Sequence, residues 1–193
     1  EKGGYEHFML KEIMEQPEAL RRAILPRIKD GEVVFDGLQL DISRYDSIKI
    51  IACGSSYHVG MVGKYNLEKL ARIPVEVVLA SEFRYCDPII DSRTLVVVIS
   101  QSGETLDTMA ALREAKSLGA RILSIVNVVG SSIAREADSV MYTWAGPEIA
   151  VATTKAYSAQ LTALYMLAMK FAKVRGTIDQ EKFQSMLTDL RCL

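Results

Sequence analysis

Leu95-Val96-Val97-Val98-Ile99-Ser100-Gln101-Ser102-Gly103-Glu104-Thr105 sets the reading of this sequence. Five apolar, mostly β-branched residues run without interruption into a short loop of hydroxyls, an amide and a glycine. Such a run predicts a strand buried on both faces, as in a parallel sheet. A helical segment follows at once. Ser102 is a favoured helix N-cap, and Glu104 would lie in the first turn. The N–H groups of Gly103, Glu104 and Thr105 would then be unpaired and turned outward. The positive end of a helix dipole attracts anions. Ser100, Gln101, Ser102 and Thr105 place donor side chains around the same point, and Gly103 lets the backbone approach a ligand closely. The loop reads in two ways: as a phosphate cradle without a lysine, or as an ordinary strand-to-helix turn capped by Ser102.

Outward from this stretch the same unit repeats. Ile48–Ala52, Val75–Leu79 and Ile122–Val126 are further apolar runs of strand length, and Ser139–Tyr142 is a weaker one. Gly54-Ser55-Ser56 reads as a turn before a helix over Tyr57–Ala71, and Ser81–Tyr85 as a brief helical turn. Thr105–Leu118 predicts a helix with Leu106, Met109, Leu112, Ala115 and Leu118 along its buried stripe, and Gly119 suits its C′ position. Ser131-Ser132 can cap a short helix running through Ala137. A strongly apolar helix spans Thr154–Lys173, and Asp179 caps a last amphipathic one. On the N-terminal side, His7–Leu25 is helical with a break near Gln16 imposed by Pro17. Lys29–Tyr45 is a connection holding a short helix. Strands alternating with helices at this spacing predict an α/β domain, a parallel sheet with helices on both faces.

Composition narrows the function classes. Hydrophobic residues are 49% and charged residues 24% of the 193, the balance of a water-soluble globular protein with one well-buried domain. A net charge of −1 argues against nucleic acid and anionic membranes as partners, so any anion site is local. Cys53, Cys86 and Cys192 show no ligand spacing and predict a reducing compartment. With two histidines in all, a metal site is not expected, and no motif points to another cofactor. The polar N-terminus does not read as a signal peptide, and its lack of a leading Met predicts a processed chain or an excised fragment. Ser158, Gln160, Thr162 and Lys170 interrupt Thr154–Lys173 too often for a membrane span. Leu161, Leu164, Tyr165, Met166, Leu167, Met169 and Phe171 nevertheless lie on nearly all its sides. One sheet face cannot cover them, which predicts packing against a second domain or a second copy of the chain.

In an open α/β sheet, ligands sit beyond the carboxyl ends of the strands. Gly54-Ser55-Ser56 and Ser100–Thr105 should meet there. Val151-Ala152-Thr153-Thr154-Lys155 would add a second helix N-terminus, two hydroxyls and an ammonium. Each feature has a plainer reading. Ser55, Ser56, Thr153 and Thr154 can serve as caps, and Lys155 can be a surface residue or pair with Glu148. His58 reads as a surface or packed histidine, and Cys53 as a small apolar residue at a strand end. Glu104 would repel a phosphate, so it should point away or satisfy backbone N–H groups.

Four stretches carry a resemblance. Cys53-Gly54-Ser55-Ser56, Ala80–Tyr85, Ser100–Thr105 and Gly146–Ala156 resemble the sugar isomerase (SIS) domain. Ser81–Tyr85 and Glu148–Ala156, with Tyr5–Pro17 before them, resemble more narrowly the isomerase region of the glutamine–fructose-6-phosphate aminotransferases, the glucosamine-6-phosphate synthases. The resemblance implies a three-layer α/β sandwich with a flavodoxin-like, five-stranded parallel sheet. It implies three parts: an N-terminal helical lead-in over 1–45, the sugar-phosphate-binding SIS domain over 46–176, and a C-terminal linker helix over 177–193. Ser56, Ser100, Gln101, Ser102 and Thr105 would bind the phosphate of the sugar, and Ser55, Val151 and Thr153 would lie along its carbons. Thr153 stands where serine is common in the family, and the hydroxyl is kept. The ligand would be fructose 6-phosphate, glucosamine 6-phosphate or glucose 6-phosphate.

The family's glutaminase domain and second SIS unit are missing from this sequence. The second unit supplies the acid–base groups of isomerisation, so no catalytic residue is expected here. The implied whole enzyme is a cytoplasmic homodimer that turns fructose 6-phosphate and glutamine into glucosamine 6-phosphate and glutamate. Two rivals remain at this stage, a stand-alone phosphosugar isomerase and a non-catalytic sugar-phosphate sensor.

Overall fold

A computed structural model describes residues 1–38 and 40–193. Two short helices open the chain, α1 (Phe8–Met14) and α2 (Gln16–Ile24), with Glu15 ending one and starting the other. Pro17 sits in the first turn of α2, where its missing N–H costs nothing, so the expected break is a restart. The connection that follows contains a small hairpin the periodicity did not show. β1 (Ile28–Lys29) pairs antiparallel with β2 (Glu32–Val33) through Asp30-Gly31, both at positive φ. The short helix expected in this connection is a single 3-10 turn at Ile42–Arg44.

The main sheet holds β3 (Ser47–Ala52), β4 (Val75–Leu79), β5 (Thr94–Ser100), β6 (Arg121–Val126) and β7 (Ser139–Tyr142). Its order is β4-β3-β5-β6-β7 and every pairing is parallel. This is the five-stranded flavodoxin-like order, and the direction of winding switches between β3 and β5. The remaining helices are α3 (Gly54–Asn66), α4 (Ala80–Phe83), α5 (Leu106–Ser117), α6 (Ser132–Glu136), α7 (Lys155–Val174) and α8 (Gln180–Arg191). A π-helical turn at Leu67–Ala71 extends α3.

Alternation along the strands feeds two cores. Ile48, Ile50, Leu95, Val97, Ile99, Leu123 and Ile125 pack toward α3 and α7. Ile51, Val96, Val98, Ile122 and Val126 pack toward α4, α5 and α6. All of β5 is buried, as the unbroken apolar run requires.

Three expectations change. α3 starts directly at Gly54, at φ +55°, so Gly54-Ser55-Ser56 is its first turn and not a separate loop. The buried face of α5 is Thr108, Ala111, Leu112 and Ala115, whereas Leu106 and Leu118 are exposed, so the helix lies where expected but its buried stripe is rotated. Most of the apolar circumference of α7 is covered within the chain. α2, α3, β2 and α8 all pack on it, and Ala23, Ala145, Ala156 and Ala159 form one tight contact of small residues. Lys170 donates to the Val33 carbonyl at 2.8 Å and so ties α7 to the hairpin. On its outer side Leu161 and Tyr165 stay half-buried, beside the exposed Val62 and Leu193.

Candidate functional site

The carboxyl ends of β3 and β5 lie side by side at the switch point, and the loops leaving them surround a cavity of about 240 Å³. Ser55, Ser56, Ser100, Gln101, Ser102, Thr105, Val151 and Thr153 all line it. Three separate stretches thus meet at the edge where an open α/β sheet takes its ligand.

The β5–α5 loop is held by its own hydroxyls. Ser100 is buried at the end of β5; its Oγ accepts the Gly103 N–H at 3.0 Å and lies 3.1 Å from Thr105 Oγ1. Ser102 Oγ accepts the Glu104 N–H at 3.2 Å. The N-cap of α5 is Thr105, not Ser102, and the N–H groups of Gly103 and Glu104 are already paired. Two serines close to their own backbone compete with helix formation here and delay α5 by three residues. The N–H groups of Leu106, Asp107 and Thr108, in the first turn of α5, have no partner within the helix, whose bonding starts with Met109 N–H to the Thr105 carbonyl at 2.9 Å. The polar groups this loop turns to the cavity are therefore hydroxyls, the Gln101 amide and the start of α5.

Gly103 sits at φ +68°, a conformation glycine reaches without strain. Its carbonyl accepts the Ile133 N–H at 3.0 Å, which ties the loop to α6. Glu104 turns away from the cavity, and its Oε1 accepts the Ser132 N–H at 2.8 Å, capping α6. Hydrogen bonding from Ser132 holds its carboxyl below the ordinary glutamate range.

The opposite wall departs from expectation in two ways. The N-terminus of α7 is already occupied by a carboxylate. Glu148 Oε1 accepts the N–H groups of Thr154 at 2.8 Å and Ala156 at 3.2 Å, and its Oε2 accepts from Thr153 Oγ1 at 2.9 Å. Lys155 is neither on the surface nor paired with Glu148. It is buried, and its Nζ donates to Glu15 of the α1–α2 junction at 2.6 Å. Neither this helix end nor this ammonium is free: Glu148 occupies the first and Glu15 the second.

Other residues reach the cavity that single-sequence reading passed over. Gln160, buried on α7, accepts from Ser56 Oγ at 3.1 Å and fixes that hydroxyl. Thr108 and Cys53 also line the cavity, with Thr108 Oγ1 3.9 Å from Cys53 Sγ. Thr108 stands three residues after Thr105, one turn along the same helix face, and that spacing is visible in the sequence. Gln160 carries no such signal. His58 is exposed and contacts the Tyr57 ring edge-on.

The Lys155 hydrogen bond holds the Glu15 carboxyl below its ordinary value of 4.5. A lowered folded-state value stabilises the fold above about pH 4.5, and this contribution is lost as pH falls through the folded value. Glu15→Gln should therefore lower the melting temperature at pH 7, and the gap to the parent should narrow as pH falls below 4.5 and through the lowered folded-state value. Melts of both proteins across that range check it.

Comparison with known proteins agrees with this geometry. The SIS domain family matches residues 41–170. The glutamine–fructose-6-phosphate aminotransferase [isomerizing] of Clostridium tetani is 57% identical over 98% of this chain, which covers 32% of that protein. The enzyme of the same description from Clostridium acetobutylicum is also 57% identical, over the whole chain. The C-terminal domain of glucosamine-fructose-6-phosphate aminotransferase from Francisella tularensis superposes with a TM-score of 0.92 at 42% identity. The match covers 99% of this chain and 54% of that one. The chain spans about a third of the length of the curated relatives it matches. A match over most of the sheet and all three cavity-forming stretches makes this chain a member of the SIS domain family.

Proposed function

We propose that the chain is the first SIS unit of a glutamine–fructose-6-phosphate aminotransferase and that its cavity binds the sugar phosphate. One observation carries the reading. All eight residues expected at such a site line a single cavity at the topological switch point. The phosphate sits at Ser100, Gln101, Ser102 and Thr105, with Ser56 beside it. The sugar carbons extend toward Ser55, Val151 and Thr153. Residues 46–176 form the binding unit, 1–45 lead into it and 177–193 link onward. The whole enzyme converts fructose 6-phosphate and glutamine to glucosamine 6-phosphate and glutamate, in the cytoplasm and as a homodimer.

This unit binds without catalysing. Moving a proton between C1 and C2 needs a base within hydrogen-bond reach. The cavity offers hydroxyls and amides, and its one carboxylate, Glu148, is engaged as the cap of α7. A second SIS unit and a glutaminase domain supply the remaining chemistry.

Calorimetric titration with fructose 6-phosphate tests the reading. The parent should bind, inorganic phosphate should compete, and Ser102→Ala should weaken binding about tenfold, the order of one lost hydrogen bond to a charged group. NMR of the bound sugar in heavy water should show no deuterium uptake at C1 or C2 above the buffer rate. Equal affinity of Ser102→Ala and the parent would remove the phosphate from this loop. Rapid uptake would make the chain a stand-alone isomerase.

A further inference from the structure

The SIS match begins at residue 41, yet one wall of the cavity is fastened by residues well before it. The stretch from Gly146 to Thr154 has no regular secondary structure, so its backbone N–H groups must find acceptors elsewhere. Glu12 of α1 supplies the acceptors for two of them, as Glu148 does for Thr154. Its side chain is buried, at 2% exposure, and its carboxylate accepts the Ile149 N–H at 2.6 Å. The Ala150 N–H lies 3.3 Å from each of its oxygens. A carboxylate buried this far is costly unless it is hydrogen-bonded, so the two amides and Glu12 stabilise each other.

The next acceptors along the same junction continue the seam. Glu15 takes Lys155 Nζ, and Gln16 Oε1 accepts from Ser158 Oγ at 2.6 Å. Ala150, Val151 and Thr153 line the cavity immediately after the clamped amides. Val151 is fully exposed, so side-chain packing does not fix its place. The phosphate loop is supported differently, by Ser100, Ser102, Asn127 and α6. Asn127 touches both stretches, its N–H donating to the Gln101 carbonyl at 3.1 Å and its side-chain amide to the Gly146 carbonyl at 2.8 Å, whereas the Glu12 carboxylate bonds only the sugar end.

We propose that Glu12 is a positioning residue for the sugar end of the site. It holds Ile149 and Ala150 so that Val151 and Thr153 stand along the carbons of the ligand, while the phosphate end is built without it. This rests on the sugar-phosphate reading.

The test uses the 193-residue chain and compares two ligands. Glu12→Gln keeps the size of the side chain but turns an amide donor toward two N–H groups. Affinity for fructose 6-phosphate should fall about tenfold, the order of one lost charge-assisted hydrogen bond. Affinity for inorganic phosphate should stay within about twofold of the parent, since its contacts lie on the β5–α5 loop, which Glu12 does not bond. Amide exchange at Ile149 and Ala150 should quicken, while that at Gly103 and Glu104 should not. Glu12→Asp keeps the charge with a shorter reach, and should show the same split between ligands to a lesser degree even if the glutamine variant fails to fold. A parallel loss for both ligands in Glu12→Asp, or unchanged fructose 6-phosphate affinity in a folded Glu12→Gln, would overturn the proposal. A parent that takes up inorganic phosphate but not fructose 6-phosphate would instead overturn the sugar-phosphate reading itself.

Discussion

Gly103→Ala is expected to lose sugar-phosphate binding and to lower the melting temperature by about 10 °C. Two penalties combine. The residue sits at φ +68°, where an L side chain costs about 1–2 kcal/mol. A Cβ there would also lie 2.1 Å from Ser131 Oγ and 2.5 Å from Ser131 Cβ. Ser131 has no room to yield: it is 3% exposed and opens α6, and its hydroxyl has no hydrogen-bond partner among the described residues. Forcing a methyl into such a space costs about 1–3 kcal/mol more. In a domain of this size each kcal/mol is worth roughly 2–4 °C. The relief should come in part only. Ser131→Gly in the same chain removes the clash but not the backbone strain, so the double variant should recover about half of the lost stability. Melting curves and phosphate titration of the three proteins check this. A Gly103→Ala protein that melts and binds like the parent would mean that the loop does not need its left-handed turn.

Phe171→Ala is expected to cost about 3–5 kcal/mol, the usual range for emptying a buried aromatic position. Phe171 is fully buried in the larger core, on the side of the sheet covered by α3 and α7. It lies three turns of α7 beyond Gln160, roughly 16 Å along the helix axis, at 1.5 Å per residue. Below its melting transition the variant should therefore bind phosphate with the parent's affinity. Chemical denaturation gives the first quantity and titration the second. A loss of binding equal to that of Ser102→Ala in a folded Phe171→Ala would show that core and site are not separable. The two variants together divide the molecule. One substitution injures the loop that meets the ligand and the other injures only what supports the sheet.

The fold was legible where local chemistry and topology agree. The unbroken run from Leu95 to Ile99 could only be a central strand, and Gly119, Pro17 and Asp179 punctuated helices as their backbones demand. The meeting of Ser55 and Ser56 with the Ser100–Thr105 loop at one sheet edge was legible because hydroxyls cluster immediately after strand ends. The hairpin was missed because strands of two residues have no period to detect, although Asp30-Gly31 is a strong turn signal. The cap of α5 was misplaced because Ser100 and Ser102 take the N–H groups that a Ser102 cap would have left free. Which groups answer Glu12, Glu15 and Gln16 was not legible at all. Their partners lie 137 to 142 residues away, and no local rule connects them. The same distance hid the covering of α7, whose neighbours come from both ends of the chain.

That separation has a consequence for how the molecule is born. α1 and α2 leave the ribosome before the rest of this domain, carrying Met9, Leu10, Ile13 and Met14, which stay exposed even in the finished fold, and Ala23 and Ile24, which do not. The helix that will bury Ala23 is not yet made. At roughly 5–20 residues per second, synthesis takes on the order of ten seconds to reach α7. Through that interval the lead-in helices have no seat, and a helix of seven or nine residues is marginal in water on its own. The sheet strands, by contrast, emerge beside or near their neighbours and can pair as they come. The N-terminal seam can therefore close only once α7 has been made, after every strand of the main sheet.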